Sequence, residues 1–260
     1  MNTLTRRLLD TAALAAMVVG TLWGFGLLGS PVEDTAGGAL AADATLLAPA
    51  TGAFSIWTVI YLLLVAYVIW LWTPGGAASA RAASLGWLPA ASMVLNGAWL
   101  GITQAGWLWL SVLDIAALVL VLGVIAGRLA SRRPDGAVEA VVLDGTFGLY
   151  LGWVTVATCA NITAALVAQG ADLGATGNAI AAVGVLAVAA GLGTVYMRRF
   201  GAAAWGVAAA MAWGLGWIAL GRLTGAPASV TVGVAAALSA AVVLAALAWR
   251  RVRHPRPAVA

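Results

Sequence analysis

Leu143-Asp144-Gly145-Thr146-Phe147-Gly148-Leu149-Tyr150-Leu151-Gly152-Trp153-Val154-Thr155-Val156-Ala157-Thr158-Cys159-Ala160-Asn161-Ile162-Thr163-Ala164-Ala165-Leu166-Val167-Ala168 is the stretch that decides the fold. After Asp144 it holds no Asp, Glu, Lys or Arg, and it exceeds the roughly 20 residues that cross a bilayer as a helix. Working outward, comparable runs lie at about 8–29, 53–73, 85–105, 107–127, 178–197, 201–221 and 229–249. This pattern predicts an all-α integral membrane bundle of about eight transmembrane helices. Composition agrees: 63% of the residues are hydrophobic and 8% charged, too few charges for a water-facing surface.

The arginines predict topology. Arg6, Arg7, Arg81, Arg128, Arg132, Arg133, Arg198, Arg199, Arg250, Arg251, Arg253 and Arg256 fall on one side of an eight-span chain, and Arg222 alone on the other. Basic residues stay cytoplasmic, so both termini are expected in the cytoplasm and the protein in the cell (inner or plasma) membrane. The opposite side holds the 30–50 loop with Glu33, Asp34 and Asp43, and the 169–177 loop with Asp172. The apolar run after Arg6-Arg7 outlasts a signal-peptide core, so the first helix is read as retained. Pro89 is read as lying near a helix start rather than at a kink.

All 13 basic residues are Arg, with no Lys, one His (His254) and one Cys (Cys159). A lysine nucleophile, a Schiff base and an internal disulfide are excluded, as is a His/Cys metal centre. The net charge of +4 is scattered between apolar runs rather than gathered on a polar face, so nucleic acid is not a partner. Glycines recur four apart at Gly20–Gly24, Gly97–Gly101, Gly123–Gly127 and Gly148–Gly152; this spacing serves close helix packing within the chain, or a homodimer. Of 13 Trp, Trp70, Trp72, Trp87, Trp107, Trp109 and Trp249 are read as belt residues at the two membrane surfaces.

Other aromatic and amide residues sit away from those surfaces at helical spacing. Phe54, Trp57 and Tyr61 are three and seven apart, Asn96 and Trp99 three apart, and Tyr150, Trp153, Ala157 and Asn161 follow at three, seven and eleven. Such stripes either line a pocket for a flat apolar ligand or hydrogen-bond one helix to the next. Asp114 is a carboxyl well inside the fourth span, so it is protonated, paired or facing a wet cavity. Glu139 and Asp144 are expected to meet Arg132 or Arg133 in solvent.

Pro49, Phe54-Ser-Ile-Trp57-Thr-Val-Ile-Tyr61, Asn96-Gly-Ala-Trp99 and Tyr150-Leu-Gly-Trp153-Val-Thr-Val-Ala157-Thr-Cys-Ala-Asn161 together resemble the tryptophan-rich sensory protein family, also called TspO/MBR or translocator protein. Members have five helices and a long first loop. They carry Trp-x-x-x-Tyr in the second helix, Asn-x-x-Trp in the third and Tyr-Leu-x-Trp-Val-x-Phe-Ala-x-x-x-Asn in the fifth. The resemblance covers residues 1–168 and implies a five-helix membrane domain there; the three additional helices read from the apolar runs over 169–249, and the basic cytoplasmic tail at 250–260, lie outside it. It implies a ligand site of Phe54, Trp57, Tyr61, Asn96, Trp99, Tyr150, Trp153, Ala157 and Asn161 for a porphyrin, haem or another flat apolar molecule, as ligand rather than cofactor. The family's Pro-Pro-x-Trp reads Pro49-Ala50-Thr51-Gly52, so the loop Trp is missing. The resemblance therefore implies binding without the photochemical porphyrin breakdown reported for some bacterial members.

Two function classes follow: a membrane ligand-binding or sensory protein, and a proton-coupled secondary transporter or exporter in which Asp114 carries the proton. An enzyme is the weakest reading, because no nucleophile, metal or cofactor motif stands in the chain. The expected partners are a hydrophobic small molecule and the lipid bilayer.

Overall fold

The computed structural model describes residues 1–24 and 32–253. Eight long helices run through the described residues: α1 (Thr3–Gly24), α2 (Ile56–Leu71), α3 (Leu88–Gln104), α4 (Leu108–Ala130), α5 (Thr146–Ala168), α6 (Gly174–Arg199), α7 (Ala204–Thr224) and α8 (Val230–Arg253). No strand occurs among these residues. Each expected span coincides in order with one of these helices, with ends shifted by a few residues, though not every one of them has the length and apolarity of a span. Residues 25–29 of the first span, and the tail beyond Arg253 with His254 and Arg256, lie outside the described residues.

Among the described residues, six helical segments are long and apolar enough to cross a membrane: Thr51–Leu71, Leu108–Ala130, Ala137–Ala168, Gly174–Arg199, Gly201–Thr224 and Val230–Arg250. The other two long helices are α1, whose first turns carry Arg6, Arg7 and Asp10, and α3, which has 17 residues. The protein is therefore a multi-pass membrane helix bundle. Its outer surface fits that solvent: Leu62, Ile69, Leu113, Leu120, Ile180 and Leu238 are each more than 60% exposed and face where acyl chains lie.

Local chemistry sets the helix ends. Asn2 Oδ1 accepts the Thr5 N–H at 2.7 Å and starts α1. Between α2 and α3 the chain makes two short helices, Pro74–Ala78 and Ala80–Leu85, capped by Thr73 and Ser79. Gly86, at φ +63°, turns the chain out of the second, a conformation a side chain would strain. Pro89 falls in the first turn of α3, where its missing N–H costs nothing. Before α6, Asp172 accepts from Asn178 Nδ2 at 2.7 Å and from the Gly174 N–H at 2.9 Å; these bonds hold its carboxyl below the usual carboxylate range.

Across the bundle, α3 packs between α1 and α4, α4 packs on α5, and α5 packs on α7, which in turn holds α6 and α8. Small residues permit the closest approaches. A Cβ on Gly20 would lie 3.2 Å from Gly97 Cα, bringing α1 against α3. One on Gly148 would meet the Ala203 carbonyl oxygen at 2.4 Å, and one on Gly152 the Val207 oxygen at 2.4 Å. The last three helices are thus joined to α5 through contact between backbones. Gly101, Gly123 and Gly127 have nothing within 4 Å of an added Cβ, so they take no part in this packing.

One end of the bundle gathers arginines. Arg6 donates to the Gly76 carbonyl and Arg7 to that of Leu71; Arg128 donates to Ser84 and Arg250 to Gly201. Arg222 is at the opposite end, 1% exposed, donating to the carbonyls of Thr45, Ala42 and Ala226.

The expectation for Glu139 and Asp144 needs correction. Both are buried, and their partner is Arg81: its guanidinium donates to Asp144 Oδ2 and Oδ1, both at 2.8 Å, and to the Leu129 carbonyl at 2.9 Å. Glu139 lies 3.6 Å from Arg81 and accepts from Ser79 Oγ at 2.5 Å and the Asp135 N–H at 2.7 Å. A π-helical turn over Ala140–Gly145 precedes α5 and presents Asp144 inward.

Asp114 also has company among buried acids: Asp10 is fully buried, and Tyr67 Oη donates to its Oδ2 at 2.8 Å. Tyr67→Phe leaves that carboxyl without its hydroxyl donor and is expected to cost about 1–3 kcal/mol. Thermal unfolding in detergent checks this; a melting temperature equal to wild type would mean the bond contributes nothing.

Candidate functional site: an aromatic cluster between α2, α3 and α5

A turn of 3-10 helix at Thr51–Ser55 leads into α2 and sets Phe54, Trp57 and Tyr61 on the face turned to α5. Tyr150 and Trp153 meet them from α5. Trp57 stacks on Tyr61 at 5.2 Å between centroids and stands edge-on to Tyr150 at 5.9 Å and Trp153 at 6.1 Å. Phe54 is edge-on to Trp153 at 5.9 Å. These are the separations and tilts that aromatic quadrupoles favour. Tyr150 and Trp153 are sealed from solvent.

Polar groups tie the rings to α3. Tyr61 Oη donates to Asn96 Oδ1 at 3.1 Å, and Tyr150 Oη donates to the Ser92 carbonyl at 3.1 Å. Farther along α5, Asn161 forms a separate knot. Its Oδ1 accepts from Trp99 Nε1 at 3.0 Å, and its Nδ2 donates to Ser111 Oγ at 2.9 Å. The nine expected site residues thus divide. Phe54, Trp57, Tyr61, Tyr150, Trp153 and Asn96 form one cluster, whereas Trp99 and Asn161 spend their hydrogen bonds joining α3, α4 and α5. Ala157, one turn from both Trp153 and Asn161, is partly buried against the core.

Two buried polar atoms here have no protein partner: the indole Nε1 of Trp153 and Oδ2 of Asp114 on α4. An unmet buried donor or acceptor costs about 1–3 kcal/mol, so each is a place where a bound molecule would gain.

Two residues went unrecognised in the sequence. Trp213 Nε1, on α7, donates to the Ala53 carbonyl at 2.9 Å, and the Ala50 N–H donates to the Trp217 carbonyl at 3.2 Å. The Trp217 ring lies over Gly52, where an added Cβ would come within 2.3 Å of it. An indole therefore stands beside the position where the loop Trp was missed, supplied from α7. The signal was a pair of Trp residues one helical turn apart in a helix with few polar residues. A small cleft of about 330 Å³ lies apart from the cluster, lined in part by Trp107, Trp109 and Gln169.

Against known families, the model described as TSPO-like protein matches residues 8–249. The chain belongs to the TSPO-like protein family. The matched stretch of this TSPO-like chain reaches well past residue 168, where the motif-level resemblance stops, and takes in α6, α7 and most of α8. No curated protein and no solved structure matches it. Membership supports a membrane protein of the sensory or ligand-binding kind.

Proposed function

We propose that this TSPO-like chain binds a flat apolar molecule of porphyrin-like shape within its first five helices, residues 1–168, with the three helices of 169–249 bracing them. The observation that carries this reading is the meeting of five rings, from α5 and from α2 with the turn before it, one of which, Trp153, has an indole N–H with no acceptor. A planar ligand replaces ring-on-ring contacts with contacts of the same kind, and an acceptor on it meets Trp153 Nε1. Asn96 orients the tyrosine hydroxyl at the edge of the site. No bond chemistry is needed. The arginine-bearing end faces the cytoplasm in this reading, as the charge asymmetry favours.

The test is a titration of the purified protein with porphyrins, haem, sterols and hydrophobic amines, read by tryptophan fluorescence. Saturable quenching by porphyrins is expected. Aromatic stacking is worth roughly 0.5–1.5 kcal/mol beyond buried area, so Trp153→Ala is expected to weaken binding about tenfold or more. Asn96→Leu is expected to cost on the order of 1 kcal/mol. Unchanged affinity in Trp153→Ala removes this cluster from the site. Light-dependent conversion of bound porphyrin to a new absorbing product would replace the binder with an enzyme.

A second reading has its own observation. Asp114 Oδ2 is buried in the span of α4 without a partner, as suits a carboxyl that takes up and releases a proton. In that reading the protein exports a hydrophobic molecule with proton coupling. Vesicle uptake driven by a pH gradient, abolished in Asp114→Asn, would favour it; uptake indifferent to the gradient would dismiss it.

A further inference from the structure

At the arginine-bearing end, α6 and α8 line a cleft of about 910 Å³. Its walls are apolar, formed by Met197, Val242, Ala245 and Ala246, and two guanidinium groups, Arg198 and Arg250, line it as well. Arg250 Nη1 donates to the Gly201 carbonyl, which fixes that side chain in place. Neither Arg198 nor Arg250 forms an ion pair among the described residues. The sequence explains why: after Asp172 the chain contains no Asp or Glu, yet seven arginines follow. Among the described residues, the arginine-bearing ends of α6 and α8 thus carry no acidic side chain of their own and no ion pair. Both helices end here with the negative pole of their dipoles, each about half a charge. Arg198, Arg199 and Arg250 outweigh that with three full charges.

We infer that this cleft holds one anionic phospholipid, its phosphate between Arg198 and Arg250 and one acyl chain laid along Met197, Val242 and Ala246. The chemistry matches on both counts. Guanidinium groups pair with phosphate oxygens through parallel N–H bonds. The apolar walls lie between two helices long and apolar enough to span a membrane, with the arginines at their ends, so a lipid satisfies charge and walls together. A basic pocket between spanning helices recognises acidic headgroups on this principle. The site is separate from the aromatic cluster, and its occupancy does not depend on what that cluster binds.

The experiment is native mass spectrometry of the full-length protein in detergent, exchanged against equimolar phosphatidylglycerol and phosphatidylcholine. Wild type is expected to retain one phosphatidylglycerol in preference to phosphatidylcholine. Each arginine near an anionic surface is worth about fivefold in affinity, so Arg198→Gln with Arg250→Gln is expected to lower retention roughly 25-fold. Arg132→Gln with Arg133→Gln removes the same charge from outside the cleft and is expected to change retention less than twofold. Ala245→Phe fills the cleft with charge intact and is expected to lose retention as well, with melting temperatures near wild type showing that the variants are folded. Equal loss in both double variants, or equal retention of the two lipids, would overturn the proposal. So would displacement of the bound lipid by millimolar inorganic phosphate, which would mark a small-anion site.

Discussion

Replacing Arg81 with methionine is expected to lower stability by roughly 3–5 kcal/mol, among the largest single losses available in this protein. Asp144 would keep its burial and lose both 2.8 Å bonds, and the Leu129 carbonyl at the end of α4 would lose its donor. Glu139 would suffer less, because Ser79 Oγ and the Asp135 N–H still bond to it. The penalty comes from the stranded carboxylate rather than from the worth of the pair, so Arg81→Met combined with Asp144→Leu is expected to recover part of the loss. Cys159 is the lone thiol, partly buried in α5, and suits the measurement: a dye that fluoresces on reaction with thiols reports unfolding as temperature rises. Arg132→Gln is the comparison, expected to stay within about 0.5 kcal/mol of wild type. Equal melting of the two variants would show that the buried triad is not what holds this end together.

The second large effect is expected at Gly152. Valine there would drive its Cβ to 2.4 Å from the Val207 carbonyl oxygen and 3.0 Å from Ala210 Cβ. A backbone oxygen in the first turn of α7 cannot turn aside as a side-chain tip would, so α5 and α7 must separate along the seam that Gly148 and Gly206 also line. Overpacking of this kind costs about 1–3 kcal/mol, and more where backbone is the obstacle. Gly123→Ala is the control: with nothing within 4 Å it is expected to be neutral or to gain up to about 1 kcal/mol from helix propensity. Earlier melting of Gly152→Val with unchanged Gly123→Ala is the expected pattern. Two equal melting curves would mean that the α5–α7 approach is looser than described.

Much of this architecture was legible because a membrane imposes simple lengths and periods. The order of the helices, the first-turn place of Pro89 and the common face of Tyr150, Trp153 and Asn161 all follow from counting residues along one helix. Partners chosen across the chain were not legible. Arg81 finds Asp144 63 positions away, from a pair of short helices too brief to register as a span. Asp10 finds Tyr67 57 positions on, and Trp213 reaches Ala53 across 160. Nothing in local periodicity chooses such partners; they follow from which helix ends the fold brings together. The same limit explains Asn161. Its spacing placed it correctly on the inner face, but only coordinates show that Trp99 and Ser111 already occupy its amide.

Gly152 and Trp153 are neighbours in sequence, about 100° apart around α5, and they bind different faces of it to different company. Trp153 leans on Trp57 and Phe54 of the α2 segment; Gly152 rests on the backbone of α7, and α7 returns through Trp213 to the Ala53 carbonyl, one residue before Phe54. These three contacts, with the chain from Ala53 to Phe54, close a ring through α5, α7 and the start of α2. Spreading the aromatic rings apart pushes α5 into a seam without slack, and the thrust arrives back at the segment where it began. In the proposed reading α7 therefore acts as the fixed jaw of a vice: it would set how far the rings can part, and hence the thickness of a ligand held between them.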